Sequence, residues 1–183
     1  MTLFRSHIKI AHDFWKKILT AGDCAIDATC GNGHDSLFIA ELIGPEGELH
    51  CIDVQEAAIE CTRTELKYFI DITRFHLGSH VTLPSVSPKL IVYNLGYLPG
   101  ADKSLTTMTD TTLKSVQNAL EIIQPGGLIS ITCYPGHPEG KIEQEALFQF
   151  VSEISNINYI VSTINWTNRP FSPSLIFIES KIN

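Results

Sequence analysis

The chain lacks, first, any apolar run long enough to cross a bilayer, and its opening residues carry no signal-peptide core or cleavage pattern. A cytoplasmic protein without membrane contact is the expectation. It also lacks any C-x-x-C pair, and its cysteines (Cys24, Cys30, Cys51, Cys61 and Cys133) are odd in number. Neither a disulfide framework nor a zinc site is expected; Cys24, Cys51 and Cys133 read as small hydrophobes in buried strands. Basic charge is scarce: 13 Lys and Arg stand against 20 Asp and Glu, for a net charge of −7. That balance argues against a tight, sequence-independent grip on nucleic acid, which normally shows a basic domain. No repeat, low-complexity tract or linker interrupts the chain. At 44% hydrophobic and 18% charged, residues 1–183 read as one globular domain.

The few basic residues are unevenly placed, four of them within the first seventeen positions. On a helix Arg5, Lys9, His12 and Lys16 fall in a narrow arc, because offsets of four, seven and eleven return near the start. Phe4, Ile8, Ala11, Trp15 and Leu19 point elsewhere. Two readings stay open, a solvated face of an amphipathic helix and a stripe facing phosphate.

After this helix, strand and helix signals alternate. Cys24–Ala28 reads as a strand, followed by a Gly turn and a helix through Leu42. Glu48–Val54 is a second strand, Gln55–Tyr68 a helix and Ile72–Leu77 a weaker third strand. Pro84 and Pro88 mark a loop before the strand Leu90–Asn94. A turn-rich stretch, Gly96–Ser104, precedes a helix over Thr109–Ile123, which Pro125-Gly126-Gly127 stops before the strand Leu128–Cys133. A last helix, Glu139–Ser155, leads to two β-rich runs, Tyr159–Trp166 and Ser174–Ile178. Alternation of this kind implies right-handed crossovers and a doubly wound, mostly parallel α/β sheet. Two final strands with no helix between them imply an antiparallel hairpin. That ending is expected of a seven-stranded Rossmann-like class I methyltransferase, whereas a nucleotide dehydrogenase would continue with further βαβ units.

In such sheets ligands sit beyond the carboxyl ends of the strands, at the switch in strand order. The first strand runs into Asp27-Ala28-Thr29-Cys30-Gly31-Asn32-Gly33, and Asp53 closes the second strand twenty residues after Gly33. Gly31 and Gly33 let the backbone turn and a ligand approach, and the Asp53 carboxylate can accept both ribose hydroxyls of an adenosine. Asp27 favours S-adenosylmethionine, since the run follows acid-x-Gly-x-Gly-x-Gly with Thr29 at the first Gly position. An anion there is an awkward neighbour for a pyrophosphate but suits an ammonium and a sulfonium. Ser36 stands where a dinucleotide fingerprint has its third small residue, so that reading also stays open. Asn32 and Asp35 can contact the amino-acid end of the cofactor; Asp35 equally complements a helix N-terminus. Ser79 and His80 replace the acid that often holds adenine, and either bond its edge or shape the pocket.

The fourth strand ends in Asn94-Leu95-Gly96-Tyr97, then Leu98-Pro99-Gly100. This is similar to the Asn-Pro-Pro-Tyr motif of methyltransferases that act on nitrogen. The Asn94 side-chain carbonyl and the Leu95 backbone carbonyl can accept the hydrogens of an amine and aim its lone pair, while Tyr97 offers a ring for base stacking. The alternative is that Asn94 ends a strand and Tyr97 packs a loop. Tyr134-Pro135-Gly136-His137-Pro138-Glu139-Gly140 follows the fifth strand, where His137 is either a proton acceptor or a structural loop histidine. Lys103, beside Asp102, Thr106 and Thr107, binds a phosphate or caps its loop.

Taken together, the runs Asp27–Asp35, Ser79-His80, Asn94–Gly100, Asp102-Lys103 and Tyr134–Gly140 resemble the YtqB/MnmM family, long labelled rRNA methylases. The resemblance covers nearly the whole chain. It implies methyl transfer from S-adenosylmethionine to the exocyclic amine of 5-aminomethyl-2-thiouridine at the tRNA wobble position, giving 5-methylaminomethyl-2-thiouridine, with the anticodon region of tRNA as partner. It further implies that Asn32, Asp35, Asp53, Gln55, Ser79 and His80 surround the cofactor, and that Asn94, Tyr97, Lys103 and His137 face the nucleotide. The acidic net charge is at odds with tRNA and would require a limited basic patch. An rRNA methyltransferase, a small-metabolite methyltransferase and a non-catalytic adenosine-binding module are the alternatives, and monomer and homodimer are both compatible with the sequence.

Overall fold

Seven short segments, the central ones buried on both faces and largely apolar, build one mixed sheet flanked by helices on both faces. The computed structural model describes residues 6–96, 108–169 and 171–182. The strands are β1 (Cys24–Asp27), β2 (Glu48–Asp53), β3 (Thr73–Leu77), β4 (Leu90–Asn94), β5 (Leu128–Cys133), β6 (Tyr159–Ile164) and β7 (Ser174–Ser180). The helices are α1 (His7–Ile18), α2 (His34–Ile43), α3 (Glu56–Glu65), α4 (Thr109–Ile122) and α5 (Pro138–Ser152). Strand order is β3-β2-β1-β4-β5-β7-β6. The first five strands in that order pair in parallel, and β7 runs antiparallel between β5 and β6.

This is the doubly wound α/β sheet with a terminal antiparallel hairpin that the sequence implies. Element ends differ by a few residues from those read off the sequence. The helix carried to Tyr68 ends at Glu65, where Leu66 buries its side chain and turns the chain through Phe69 into a 3-10 turn at Ile70–Ile72.

The two-residue period of the strands separates two cores. On one face Ala25, Leu49, Cys51 and Val92 pack beneath α1, α2 and α3; on the other Ile26, Ile52, Ile91 and Ile131 pack beneath α4 and α5. Order reverses between β1 and β4, so their loops diverge and leave a crevice at the carboxyl end of the sheet. Helix α1 buries Ala11 and Trp15 and brings Ile8 and His12 to the crevice wall. Among the described residues no helix is long and apolar enough to cross a membrane.

Candidate active site

The crevice has a volume of about 990 Å³, at the upper end of the roughly 300–1,000 Å³ of small-molecule sites. Its walls come from the loops after β1, β2, β3, β4 and β5, with α1 on one side. Of the residues expected at the site, Gly31, Asn32, Asp35, Asp53, Gln55, Ser79, His80, Asn94, Leu95 and His137 all line it. Tyr97 and Lys103 lie outside the described residues.

The β1 and β2 loops are braced through carboxylates. Asp53 accepts the Gly31 N–H on one oxygen and the Gln55 N–H on the other, each at 3.0 Å. An ionised carboxylate has about four lone-pair sites, so Asp53 keeps capacity for two hydroxyls facing the crevice. Gly33 sits in the left-handed region at φ 81°, where a Cβ would stand 2.8 Å from the Thr62 Cα. Only glycine serves the turn and the contact of α2 with α3 together. Thr62 closes the joint by donating to the Gly31 carbonyl at 3.1 Å.

Asp27 corrects the sequence reading. It is 1% exposed and does not line the crevice. Its oxygens accept from the Thr29 N–H at 3.2 Å and the Ser36 hydroxyl at 2.6 Å. Burial pushes its pKa up to about 7, against the opposing effect of the Ser36 bond. Asp27 is thus a buttress under the turn, and Ser36 serves that buttress. The departure from the acid-x-Gly-x-Gly-x-Gly pattern at Thr29 also finds its reason. The Thr29 hydroxyl, at the first Gly position, accepts the Asn94 backbone N–H at 2.6 Å and stitches the end of β1 to that of β4.

On the β4 and β5 side of the crevice the side chains form a continuous hydrogen-bonded chain. His12 Nε2 donates to Asp35 Oδ1 at 2.7 Å, and Asn94 Nδ2 donates to Asp35 Oδ2 at 2.6 Å. Asn94 Oδ1 in turn accepts from the Tyr134 hydroxyl at 2.9 Å, and His7 Nε2 lies 3.2 Å from that hydroxyl. Burial lowers the pKa of His7, against the pull of Asp35, favouring the neutral ring that donates through Nε2. With a carboxylate on one side and a phenol donor on the other, the Asn94 amide has one orientation, its carbonyl retaining a second lone pair. His12 also stacks on Phe38, with centroids 3.8 Å apart. It therefore belongs to the site and not to a solvated or phosphate-facing stripe; Lys9, Lys16 and Lys17 remain exposed on α1, and Arg5 lies outside the described residues.

The remaining candidates divide. His80 is 7% exposed, its pKa is lowered by burial, and its Nδ1 has no hydrogen-bond partner among the described residues. Ser79 Oγ accepts the Val81 N–H at 3.3 Å, a local turn. His137 is the N-cap of α5: its Nδ1 accepts the Gly140 N–H at 3.1 Å, which commits the lone pair that proton acceptance would need. Cys24 differs from its sequence reading, being only half-buried at the start of β1.

A crevice of this size, a ribose-competent carboxylate at the end of β2 and the orphaned His80 nitrogen fit S-adenosylmethionine. The family described as "Putative rRNA methylase" matches residues 49–179. The chain belongs to this family. It is an S-adenosylmethionine-dependent methyltransferase, as motif, crevice and relatives agree. An Arabidopsis thaliana protein named "tRNA (mnm(5)s(2)U34)-methyltransferase, chloroplastic" is 35% identical over 96% of this chain and 69% of its own. A crystal structure of a "putative rRNA-methylase" from Clostridium thermocellum superposes with a TM-score of 0.94 at 31% identity, covering 98% of this chain and 100% of that one. A "putative methyltransferase" from Streptococcus mutans, solved in complex with SAH, gives 0.86 at 31% identity over 97% and 99% of the two chains.

Sequence reasoning missed the hydrogen-bonding places of His12, Tyr134 and Thr29 around Asp35 and Asn94. His12 is visible only as one member of the polar arc of an amphipathic helix. Nothing in the sequence pairs it with Asp35, twenty-three positions away.

Proposed function

We propose that the enzyme methylates the exocyclic amine of 5-aminomethyl-2-thiouridine at the wobble position of tRNA. The observation that carries this reading is the Asn94 amide, locked between Asp35 and Tyr134 at the rim of the crevice. The similarity to the plant tRNA methyltransferase over nearly the whole chain supports the choice of substrate.

In this reading Asp53, Gln55, Asn32 and His80 hold S-adenosylmethionine, which supplies an electrophilic methyl group on a sulfonium. The free lone pair of Asn94 Oδ1 and the Leu95 carbonyl accept the amine hydrogens and turn the nitrogen lone pair toward that methyl. A substrate amine arrives largely as the ammonium and must shed a proton before attack. We assign that proton to Asp35, the carboxylate joined to Asn94, with His12 supporting its other oxygen, because His137 Nδ1 is committed to its cap. Tyr97 and Lys103 take the base-stacking and phosphate roles, and the exposed lysines of α1 provide the limited basic footprint that an acidic protein needs for RNA. Positioning and preorganised hydrogen bonds supply most of the rate.

The test is nucleoside mass spectrometry of tRNA from a strain lacking the gene, followed by restoration with purified enzyme and S-adenosylmethionine. The aminomethyl nucleoside is expected to accumulate and then convert to its methylaminomethyl form. Unchanged tRNA nucleosides, with methyl transfer to rRNA or a small metabolite instead, would overturn the substrate assignment.

A further inference from the structure

The amino end of the sheet, opposite the crevice, holds a second group of chemistry-bearing side chains that methyl transfer does not use. Cys24 and Glu48 open β1 and β2 and are register partners, and His50 lies two residues along β2 on the same face. One ligand atom from each (the Cys24 Sγ, a Glu48 carboxylate oxygen and a His50 ring nitrogen) lies within 4.8 Å of the others. Three residues of strand, about 10 Å, separate Cys24 from Asp27, so the group is distinct from the active site.

His50 decides how the group is read. Its residue is 5% exposed, and its buried Nε2 has no hydrogen-bond partner among the described residues, although Glu48 Oε1 stands 3.3 Å away. The two atoms are close without the alignment of a hydrogen bond. Two ligand atoms bound about 2.0–2.1 Å from one tetrahedral zinc ion stand roughly 3.4 Å apart, so this separation suits a shared cation. The other ring nitrogen is already occupied: His50 Nδ1 lies 2.9 Å from His76 Nε2 on β3. A proton on Nδ1, donated to His76, leaves Nε2 as a lone pair, the arrangement by which an outer partner orients a metal-binding imidazole.

We infer that Cys24, Glu48 and His50 bind a divalent cation of zinc type, with His76 orienting His50 from behind. Sulfur, nitrogen and carboxylate donors together select zinc over calcium or magnesium. On binding, the Cys24 thiol proton is released to solvent as the sulfur–metal bond forms. Burial, then Glu48 and Asp23, push that thiol up to about 11 in the metal-free chain; the same anionic neighbours favour a cation, and binding is coupled to proton release. The Glu48 side chain is 46% exposed, which leaves room for water as a fourth ligand. The ion ties β1 to β2, and through His76 to β3, at the opposite end of the strands that carry Asp27 and Asp53.

The test titrates tag-free, chelator-stripped protein with cobalt(II), then zinc. Wild type and Cys61→Ser, which removes the exposed cysteine, are expected to develop a thiolate-to-cobalt charge-transfer band that zinc abolishes. Zinc is expected to raise their melting temperature by several degrees. Cys24→Ser loses the band, and His50→Gln weakens cobalt binding at least about tenfold. Methyl transfer by Cys24→Ser stays within about twofold of wild type, because the site is not catalytic. Absence of the band in wild type, its survival in Cys24→Ser, or equal zinc shifts in wild type and Cys24→Ser would overturn the inference. Cys24→Ser is nearly isosteric at a half-buried position, so the test stands even if His50→Gln fails to fold.

Discussion

The two lips of the crevice are built by different means. The lip formed by the β1 and β2 loops is braced by backbone N–H groups donating to Asp27 and Asp53, with partners only two residues away or across one strand pair. The lip at β4 and β5 is braced by side chain to side chain, in a chain running from α1 through α2 to Asn94 and Tyr134. A backbone-braced turn can be rigid before any ligand arrives. A side-chain chain aims a polar group whose orientation must be correct to within a hydrogen bond, and each link is needed to hold the next. The first arrangement suits a cofactor bound in one way; the second suits an acceptor that has to be aimed.

The largest expected effect falls on the second lip alone. Asn94→Ala is expected to slow single-turnover methyl transfer by roughly 10²–10³-fold, with cofactor affinity by calorimetry nearly unchanged. Equal loss in both would merge the two lips into one unit.

On the first lip, Asp27→Asn tests the buttress through pH. The folded pKa, about 7, lies above the ordinary value of 3.8. This group therefore favours folding most at acid pH, and its contribution fades as pH rises from about 4 through 7. Denaturant unfolding of wild type against Asp27→Asn should show the variant gaining relative stability across that window, on the order of 4 kcal/mol. An offset independent of pH would mean that Asp27 is not buried in the manner described.

Asp53→Ala is expected to weaken cofactor binding roughly tenfold through loss of the charged hydrogen bonds to ligand and loops. Unchanged affinity would remove the ribose role. Tyr134→Phe frees the Asn94 carbonyl, and a slowing of about three- to tenfold at unchanged cofactor affinity is expected, the worth of one neutral hydrogen bond. The smallest effect is expected for His137→Asn. Asparagine caps a helix well, so the rate should stay within about twofold; a drop near a hundredfold would return the proton acceptor to His137.

The first lip is largely legible in the sequence. Gly31 and Asp53 follow from a strand, a turn and a strand end in fixed succession, since a ligand approaching a tight turn needs a glycine and an acid at a set distance; Gly33 is legible as a glycine, but it faces Thr62 of α3 and does not line the crevice. Asp27 is legible as a residue but not as a role: its place in the motif says nothing about whether the carboxylate faces the ligand or the core. The second lip is legible only at Asn94 and Leu95. His12 belongs to a helix whose polar arc equally fits solvent or phosphate; Thr29 stands at the first Gly position of the cofactor turn and Tyr134 opens the run after β5, but neither place reveals a hydrogen bond to Asn94.

The sequence by itself determined the alternation of elements, the terminal hairpin and the cofactor turn, because these depend on local periodicity and on backbone conformations that few residues permit. Only the tertiary structure decided that α1 closes the crevice, that Asp27 is buried while Asp53 is not, and that His12, Asp35, Asn94 and Tyr134 form one chain. Those facts depend on which surfaces meet when distant segments pack, and burial and partnership are properties of that meeting, absent from any single stretch of chain.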